Sequence, residues 1–211
     1  NEINNDLSQT YPMSRLVQGD VGSGKTLVAA AAALTAIEAG YQVALMAPTE
    51  ILSEQHVKSF KEWLDPLKLN VTLISGKLKV ADKRKALEAA ANGECHLVIG
   101  THALFQTDVH FQKLGLIIVD EQHRFGVHQR MTLRDKGKAS NAQSDTYPHQ
   151  LVMTATPIPR TLAMTTYADM DYSVIDELPP GRTPVKTVVI NNIRRDEIIQ
   201  RINGVCEDGA Q

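Results

Sequence analysis

The sequence offers little that would tie it to an oxidising compartment, a metal cluster or a membrane. Two cysteines occur in 211 residues, Cys95 and Cys206, far apart and without metal or redox spacing. That usage suits a reducing cytosol, each thiol serving as a small apolar group. The seven histidines show no pairing with cysteines or acids that would suggest a zinc site. No apolar run approaches the length of a membrane span, and Asn1–Asp6 lacks the basic and apolar regions of a signal peptide. Neither sign of charge dominates, with 22 basic and 24 acidic residues and a net charge of −2. A basic footprint for nucleic acid is therefore missing, although a protein that grips phosphates locally does not need one. What remains is an ordinary globular composition, 43% hydrophobic, long enough for one substantial core and part of another. The first residue is not methionine, and the polar start reads as the tail of something longer, with no strand or helix of its own.

Short β-rich apolar runs alternate with helical patterns, which is how a parallel sheet built from βαβ units reads. The patterning predicts strands at 15–18, 42–46, 71–74, 97–99, 114–119, 151–153 and 173–175. It predicts helices at 25–39, 50–63, 80–91 and 159–168. The continuous apolar character of 97–99 and 114–119 fits burial on both faces of the sheet. Between Asp135 and His149 the composition turns polar, predicting an exposed loop. Pro179–Pro184 reads as a linker, followed by a strand at 186–190 and a helix at 194–206. The expected organisation is a domain over 1–178, a linker over 179–185 and the start of a second domain over 186–211.

Two motifs carry chemistry. Gly19-Asp20-Val21-Gly22-Ser23-Gly24-Lys25-Thr26 matches G-x-x-x-x-G-K-[ST] in full, between a predicted strand and a predicted helix. Its glycines let the chain wrap a polyphosphate and aim backbone N–H groups at it, and the helix N-terminus adds partial positive charge. Lys25 would reach the β- and γ-phosphates, and the Thr26 hydroxyl would ligate Mg²⁺. Leu116 to Val119 is an apolar strand that delivers Asp120 and Glu121 at its C-terminal end. Asp120 would hold Mg²⁺, and Glu121 would orient or deprotonate an attacking water. A strand ending in Asp-Glu is common by itself; the complete P-loop upstream turns it into a hydrolytic pair, with ATP and Mg²⁺ as the implied cofactors. No Asn-Lys-x-Asp guanine-reading sequence occurs, which disfavours a GTPase.

With these residues in place the chain resembles a superfamily 2 helicase. Asp120-Glu121-Gln122-His123 looks like a DExH box, Ala47-Pro48-Thr49-Glu50-Ile51-Leu52 like motif Ia, Gly100-Thr101-His102 like motif Ib, and Thr154-Ala155-Thr156-Pro157 like motif III. His123-Arg124-Phe125-Gly126-Val127 and Thr154 to Thr161 are similar to two bacterial families, the RecG-type helicases and the transcription-repair coupling translocases. Gln122, His128-Gln129-Arg130 and Asp176 to Arg182 lie closer to the RecG type, because the coupling factors usually carry a second Glu where Gln122 stands.

That resemblance implies an α/β, RecA-like P-loop NTPase domain, a mainly parallel sheet sandwiched by helices. It implies an ATP-driven motor on branched DNA and stalled forks, in a bacterial, cytoplasmic and nucleoid-associated setting. Lys25, Asp120, Glu121, Gln122 and His123 would be catalytic. Thr49, Thr101, His102, Thr154, Thr156 and Arg160 would contact DNA phosphates or couple them to hydrolysis. Alternatives stay open at several positions: Thr49 as a helix cap, Thr154 and Thr156 as packed strand residues, His102 as a polar residue at a strand end. Arg124 and Arg160 suit a structural salt bridge equally well. The basic stretch Lys77 to Lys85 also carries Asp82, which favours a solvated helix face. Motifs IV to VI and the arginine finger would belong to a second RecA-like domain, and a wedge domain would hold the branch point. The chain would then own half of its nucleotide site, bind ATP weakly by itself and turn it over slowly. A P-loop sensor without turnover is the rival reading, and the intact Asp120–Glu121 pair argues against it.

Overall fold

The computed structural model describes residues 1–121, 127–140, 147–156, 170–177 and 187–209, with backbone alone at 127–131 and 139–140. They fall in two compact units, Asn1–Pro179 and Pro180–Gln211.

In the first unit seven strands form one sheet: β1 (Ser14–Gly19), β2 (Gln42–Met46), β3 (Val71–Ile74), β4 (Leu97–Gly100), β5 (Leu114–Asp120), β6 (His149–Thr154) and β7 (Asp171–Ile175). Their order is β3-β4-β2-β5-β6-β1-β7, and every neighbouring pair is parallel. The helices are α1 (Glu2–Leu7), α2 (Lys25–Glu38), α3 (Glu50–Leu64), α4 (Val80–Ala91) and α5 (Val127–Ser140). This is the parallel sheet with helices packed on it that the sequence predicts.

The apolar strands are continuous because both faces are covered. Along β2, Val43 and Leu45 join one core cluster while Ala44 and Met46 join the other, as the two-residue period of a strand requires. The first cluster takes Ala29, Ala32, Ala33 and Ala36 from α2 and Phe60 and Leu64 from α3. The second takes Ala86 and Ala90 from α4 and Leu133 from α5. Small alanine side chains on α2 let the P-loop helix lie close against the sheet. Gln42, buried at a strand start, shows how a core tolerates an amide. Its Nε2 donates to the carbonyls of Ala90 and Cys95, both at 2.9 Å, and its Oε1 accepts from the Gln112 and Lys113 amides at 2.8 and 3.0 Å.

Four expectations need correction. The polar start is not structureless: Glu2–Leu7 is α1, anchored by Ile3 and Leu7 against the core and by ion pairs from buried Arg15 to Glu2 (3.2 Å) and Asp6 (2.5 Å). Six residues have too little intrinsic helicity to announce themselves; the contacts make the helix. The stretch predicted as a loop from Asp135 is helical as far as Ser140. Leu133 is fully buried, the Lys136 ammonium donates to the carbonyls of Gln106 and Val109, and Gly137 lets Pro148 approach to where a Cβ would sit 2.5 Å from its Cγ. Strand β6 then starts at His149, inside the predicted loop. Finally, residues 187–190 pair with no strand among the described residues, and an apolar run without a partner does not make one. The predicted helix 159–168 and the linker Pro179–Pro184 lie outside the described residues.

The second unit contains a 3-10 turn (Asn192–Arg194) and α6 (Arg195–Glu207). The Asn191 side chain accepts from the Ile193 amide at 3.1 Å, and Arg194 holds Glu197 through two bonds of 2.8 and 2.6 Å. Ile193 is 90% and Ile202 54% exposed, so this unit has no core among its described residues. No helix among the described residues is long and apolar enough to cross a membrane.

Candidate functional site

Ligands of open parallel sheets bind beyond the carboxyl ends of the strands, and there the predicted residues gather. Three adjacent strands, β5, β6 and β1, end respectively in Asp120, Thr154 and Gly19, with Gln18 in register with Thr154 and Asp120 with Met153. Residues 120 and 19 are far apart in sequence and one strand apart in space.

Leaving β1, the chain turns through Gly22 (φ 82°) and Gly24 (φ 90°), backbone that an L-side chain rarely adopts. Gly24 caps α2, so Lys25 and Thr26 are its first two residues. At Gly19 crowding matters instead: a Cβ would meet Ser23 Oγ at 2.5 Å and Ile175 Cβ at 3.1 Å. The Asp20 carbonyl accepts from the Ser23 amide at 3.1 Å, and the Asp20 carboxylate from the Val21 amide at 2.8 Å. Lys25 Nζ donates to the carbonyls of Gly19 and Asp20, both at 2.8 Å, which curls the ammonium into the loop. Ser23 Oγ is buried with no hydrogen-bond partner, an unmet polar atom inside the cradle. Free backbone turns, a helix N-terminus, an ammonium and a buried hydroxyl together fit a polyphosphate.

Asp120 and Glu121 point in different directions because the backbone breaks between them. Glu121 has φ 52°, a left-handed conformation costing a non-glycine residue about 1–2 kcal/mol. The turn lets its carboxylate reach β6: Oε1 accepts from the Ala155 amide at 3.1 Å, and Oε2 from the Thr154 hydroxyl at 3.5 Å. Thr154 Oγ1 in turn accepts from the Thr156 amide at 3.1 Å. The Glu121 carboxylate and the residues Thr154 and Ala155 are thus in direct contact. Thr154 is buried and Thr156 exposed.

Asp120 has a partner that pattern reading missed. Oδ2 lies 2.9 Å from Nε2 of His56, on α3. Since an ionised carboxylate only accepts, Nε2 carries the proton in this bond. One signal was available: Ser53, His56, Phe60 and Leu64 recur at three- and four-residue spacing and form the buried face of α3, so the imidazole had to find a partner inside.

A second group of residues lies at the ends of β2 and β4. Thr49 caps α3, its Oγ1 accepting from the Leu52 amide at 3.3 Å, and is itself exposed. His102 is exposed, whereas Thr101 is 2% exposed and donates its hydroxyl to Glu50 Oε1 at 3.4 Å. Glu50 Oε2 is buried without a hydrogen-bond partner. Of the predicted site residues, Gln122, His123 and Arg160 lie outside the described ones. Among the described residues no group of three His, Cys, Asp or Glu side chains forms a ready-made metal cage, so a cation here needs oxygens from elsewhere.

The comparisons agree with this geometry. Residues 6–165 match the family model of the DEAD/DEAH box helicases. The chain is 62% identical over 97% of its length to the ATP-dependent DNA helicase RecG of Pasteurella multocida, and 60% identical over the same share to that of Haemophilus influenzae. It spans 29% of the length of each of these curated relatives. A solved structure of RecG bound to a three-way DNA junction superposes with a TM-score of 0.81 at 43% identity, over 100% of this chain and 27% of that one.

Proposed function

The chain belongs to the DEAD/DEAH box helicases, and on that premise we propose that it is the first motor domain of an ATP-dependent helicase acting on branched DNA and stalled forks. The observation that supports this most is the meeting of three motifs at adjacent strand ends: a polyphosphate cradle at Gly19–Thr26, Asp120, and a Glu121 carboxylate bound to Ala155 and Thr154. On this reading residues 1–178 are the motor domain, 179–185 the linker and 186–211 the start of a second RecA-like domain. The remainder of a longer protein supplies the rest of that domain and a wedge domain. The work is on DNA, in a bacterial cytoplasm and nucleoid.

The N–H groups of Val21 to Lys25 would bind the phosphates of ATP, those of Val21 and Ser23 on release from Asp20, and the Lys25 ammonium would exchange its two carbonyl partners for phosphate oxygens, which accept more strongly. Thr26 and Asp120 would hold Mg²⁺, which neutralises charge on the phosphates. Glu121 takes a proton from, or orients, the attacking water. Because the same carboxylate binds Ala155 and Thr154, a change of charge around it is felt at motif III without an intermediary. Thr49 and His102, exposed beyond β2 and β4, meet DNA phosphates and carry no sequence information. By the resemblance Gln122 and His123 would relay between the nucleotide and motif III, where Thr154 and Thr156 receive the signal, and Arg160 would contact DNA; Thr101 secures motif Ib to motif Ia through Glu50.

The test is ATP hydrolysis by the full-length parent protein on forked and linear duplex DNA, with Lys25→Ala as control. Stimulation by forks well above linear duplex, abolished in the variant, is the expected result. Turnover indifferent to any DNA would leave a P-loop NTPase that is no motor.

A further inference from the structure

His56 is placed where a helix of this kind calls for an apolar side chain, and it is 7% exposed. Burying an imidazole costs free energy unless its N–H is satisfied, and its bond goes to the carboxylate proposed to hold Mg²⁺. Phe60, one turn on, meets the imidazole edge to face with ring centroids 6.4 Å apart, and Trp63 packs on Phe60 at 5.6 Å. The ring is therefore fixed on one side by aromatic contact and on the other by Asp120.

The helix that carries His56 is capped by Thr49. A residue exposed beyond β2 and a residue touching Asp120 thus lie two turns apart on one α-helix, about 10 Å along its axis. Because α3 is one continuous packed helix, a shift at Thr49 would have a direct route to Asp120 through His56.

We propose that His56 is a positioning residue: it holds Asp120 Oδ2 so that the carboxylate presents its other oxygen to Mg²⁺, and it links that orientation to the DNA-facing end of α3. The inference rests on the assignment of Asp120 and Thr49 in the proposed function. It requires a donor at the distance of Nε2, not an imidazole as such. Glutamine places its amide nitrogen near the Nε2 position, whereas asparagine reaches only as far as Nδ1. Both keep the site polar and neutral, and neither leaves a large cavity.

The experiment uses the full-length parent protein and reads the Mg²⁺ dependence of binding of a fluorescent, non-hydrolysable ATP analogue. For His56→Asn the half-saturating Mg²⁺ concentration is expected to rise about tenfold, the scale set by one hydrogen bond to a charged group. For His56→Gln it stays within about threefold of the wild type. Affinity for the analogue without Mg²⁺ stays the same in all three proteins. A His56→Asn protein with wild-type Mg²⁺ dependence would overturn the proposal, and so would equal rises in both variants, which would mark a role in packing alone. If His56→Asn does not fold, a His56→Gln protein that departs from the wild type by tenfold or more would contradict it, and one that matches it would support it. The motor reading fails separately, on the absence of fork-stimulated turnover in the wild type.

Discussion

The two halves of the sheet's C-terminal edge are built on different terms. At the ends of β1, β5 and β6 the functional groups hold one another: Lys25 on two loop carbonyls, Glu121 on Ala155 and Thr154, Asp120 on His56. At the ends of β2 and β4 the residues proposed to meet DNA, Thr49 and His102, stand exposed. Chemistry on a phosphoanhydride needs groups fixed before the substrate arrives, because reorganisation during the reaction adds to the barrier. A phosphate backbone that must be gripped and released needs accessible donors and shallow contacts. On the proposed function, one strand-end surface would serve both tasks, with α3 spanning them.

The nucleotide half should break most severely. Glu121→Gln keeps the shape and the Ala155 contact but removes the base, and should lower fork-stimulated turnover in the parent protein by about 10²–10⁴-fold. ATP affinity should hold, as equilibrium binding of the fluorescent analogue would show. A loss of less than tenfold would mean that Glu121 is not the acid–base group.

Interior support ranks next. Gln42→Leu removes a buried amide, leaves the buried carbonyls of Ala90 and Cys95 without its N–H donor, and frees the Gln112 and Lys113 amides to solvent. A cost of about 2–4 kcal/mol in chemical denaturation is expected. It should reach both edges alike, since Gln42 sits at the opposite end of β2 from Thr49.

On the DNA half the effects are smaller and separable. Thr49→Ala should destabilise α3 by about 1 kcal/mol through loss of the cap. It should also weaken fork binding while leaving nucleotide affinity in place. Thr49→Asp retains the cap and opposes the phosphate, so stability should recover while DNA affinity falls further. Were fork binding unchanged in both, Thr49 would be a cap and nothing more.

The smallest effect belongs to neither edge. His149 Nδ1 accepts from the Met13 amide at 2.9 Å, which requires that nitrogen to be unprotonated. Burial pushes the His149 pKa below its usual 6.5, against an opposing pull from Asp6. A base whose folded pKa is depressed binds more protons when unfolded, so its contribution to stability is complete above pH 6.5 and fades as the pH falls below it. The melting temperature of wild type should drop more between pH 7.5 and 5.5 than that of His149→Gln; parallel curves would remove His149 from the account.

The parallel sheet was legible in the sequence because its central strands β2, β4 and β5 are apolar over most of their length, and β2, β3 and α4 ended where the residues changed character. What stayed hidden depends on distant contacts. Helix α1 exists through Arg15, and the polar half of α5 through Lys136 and the close approach of Gly137 to Pro148. At the site, the P-loop was readable because a turn and a helix N-terminus are local objects. The His56–Asp120 bond spans 64 positions, and no spacing rule connects a helix face to one particular strand end.

Thermodynamic coupling between the two edges is the central claim, and it is measured most directly in binding. The affinity of the full-length parent protein for a non-hydrolysable ATP analogue is determined with and without saturating forked DNA, and the affinity for the fork with and without the analogue. The account predicts that each ligand changes the affinity for the other by the same factor, about fivefold or more. A factor of one in both directions would mean that the P-loop and the DNA edge act independently, and would contradict the account.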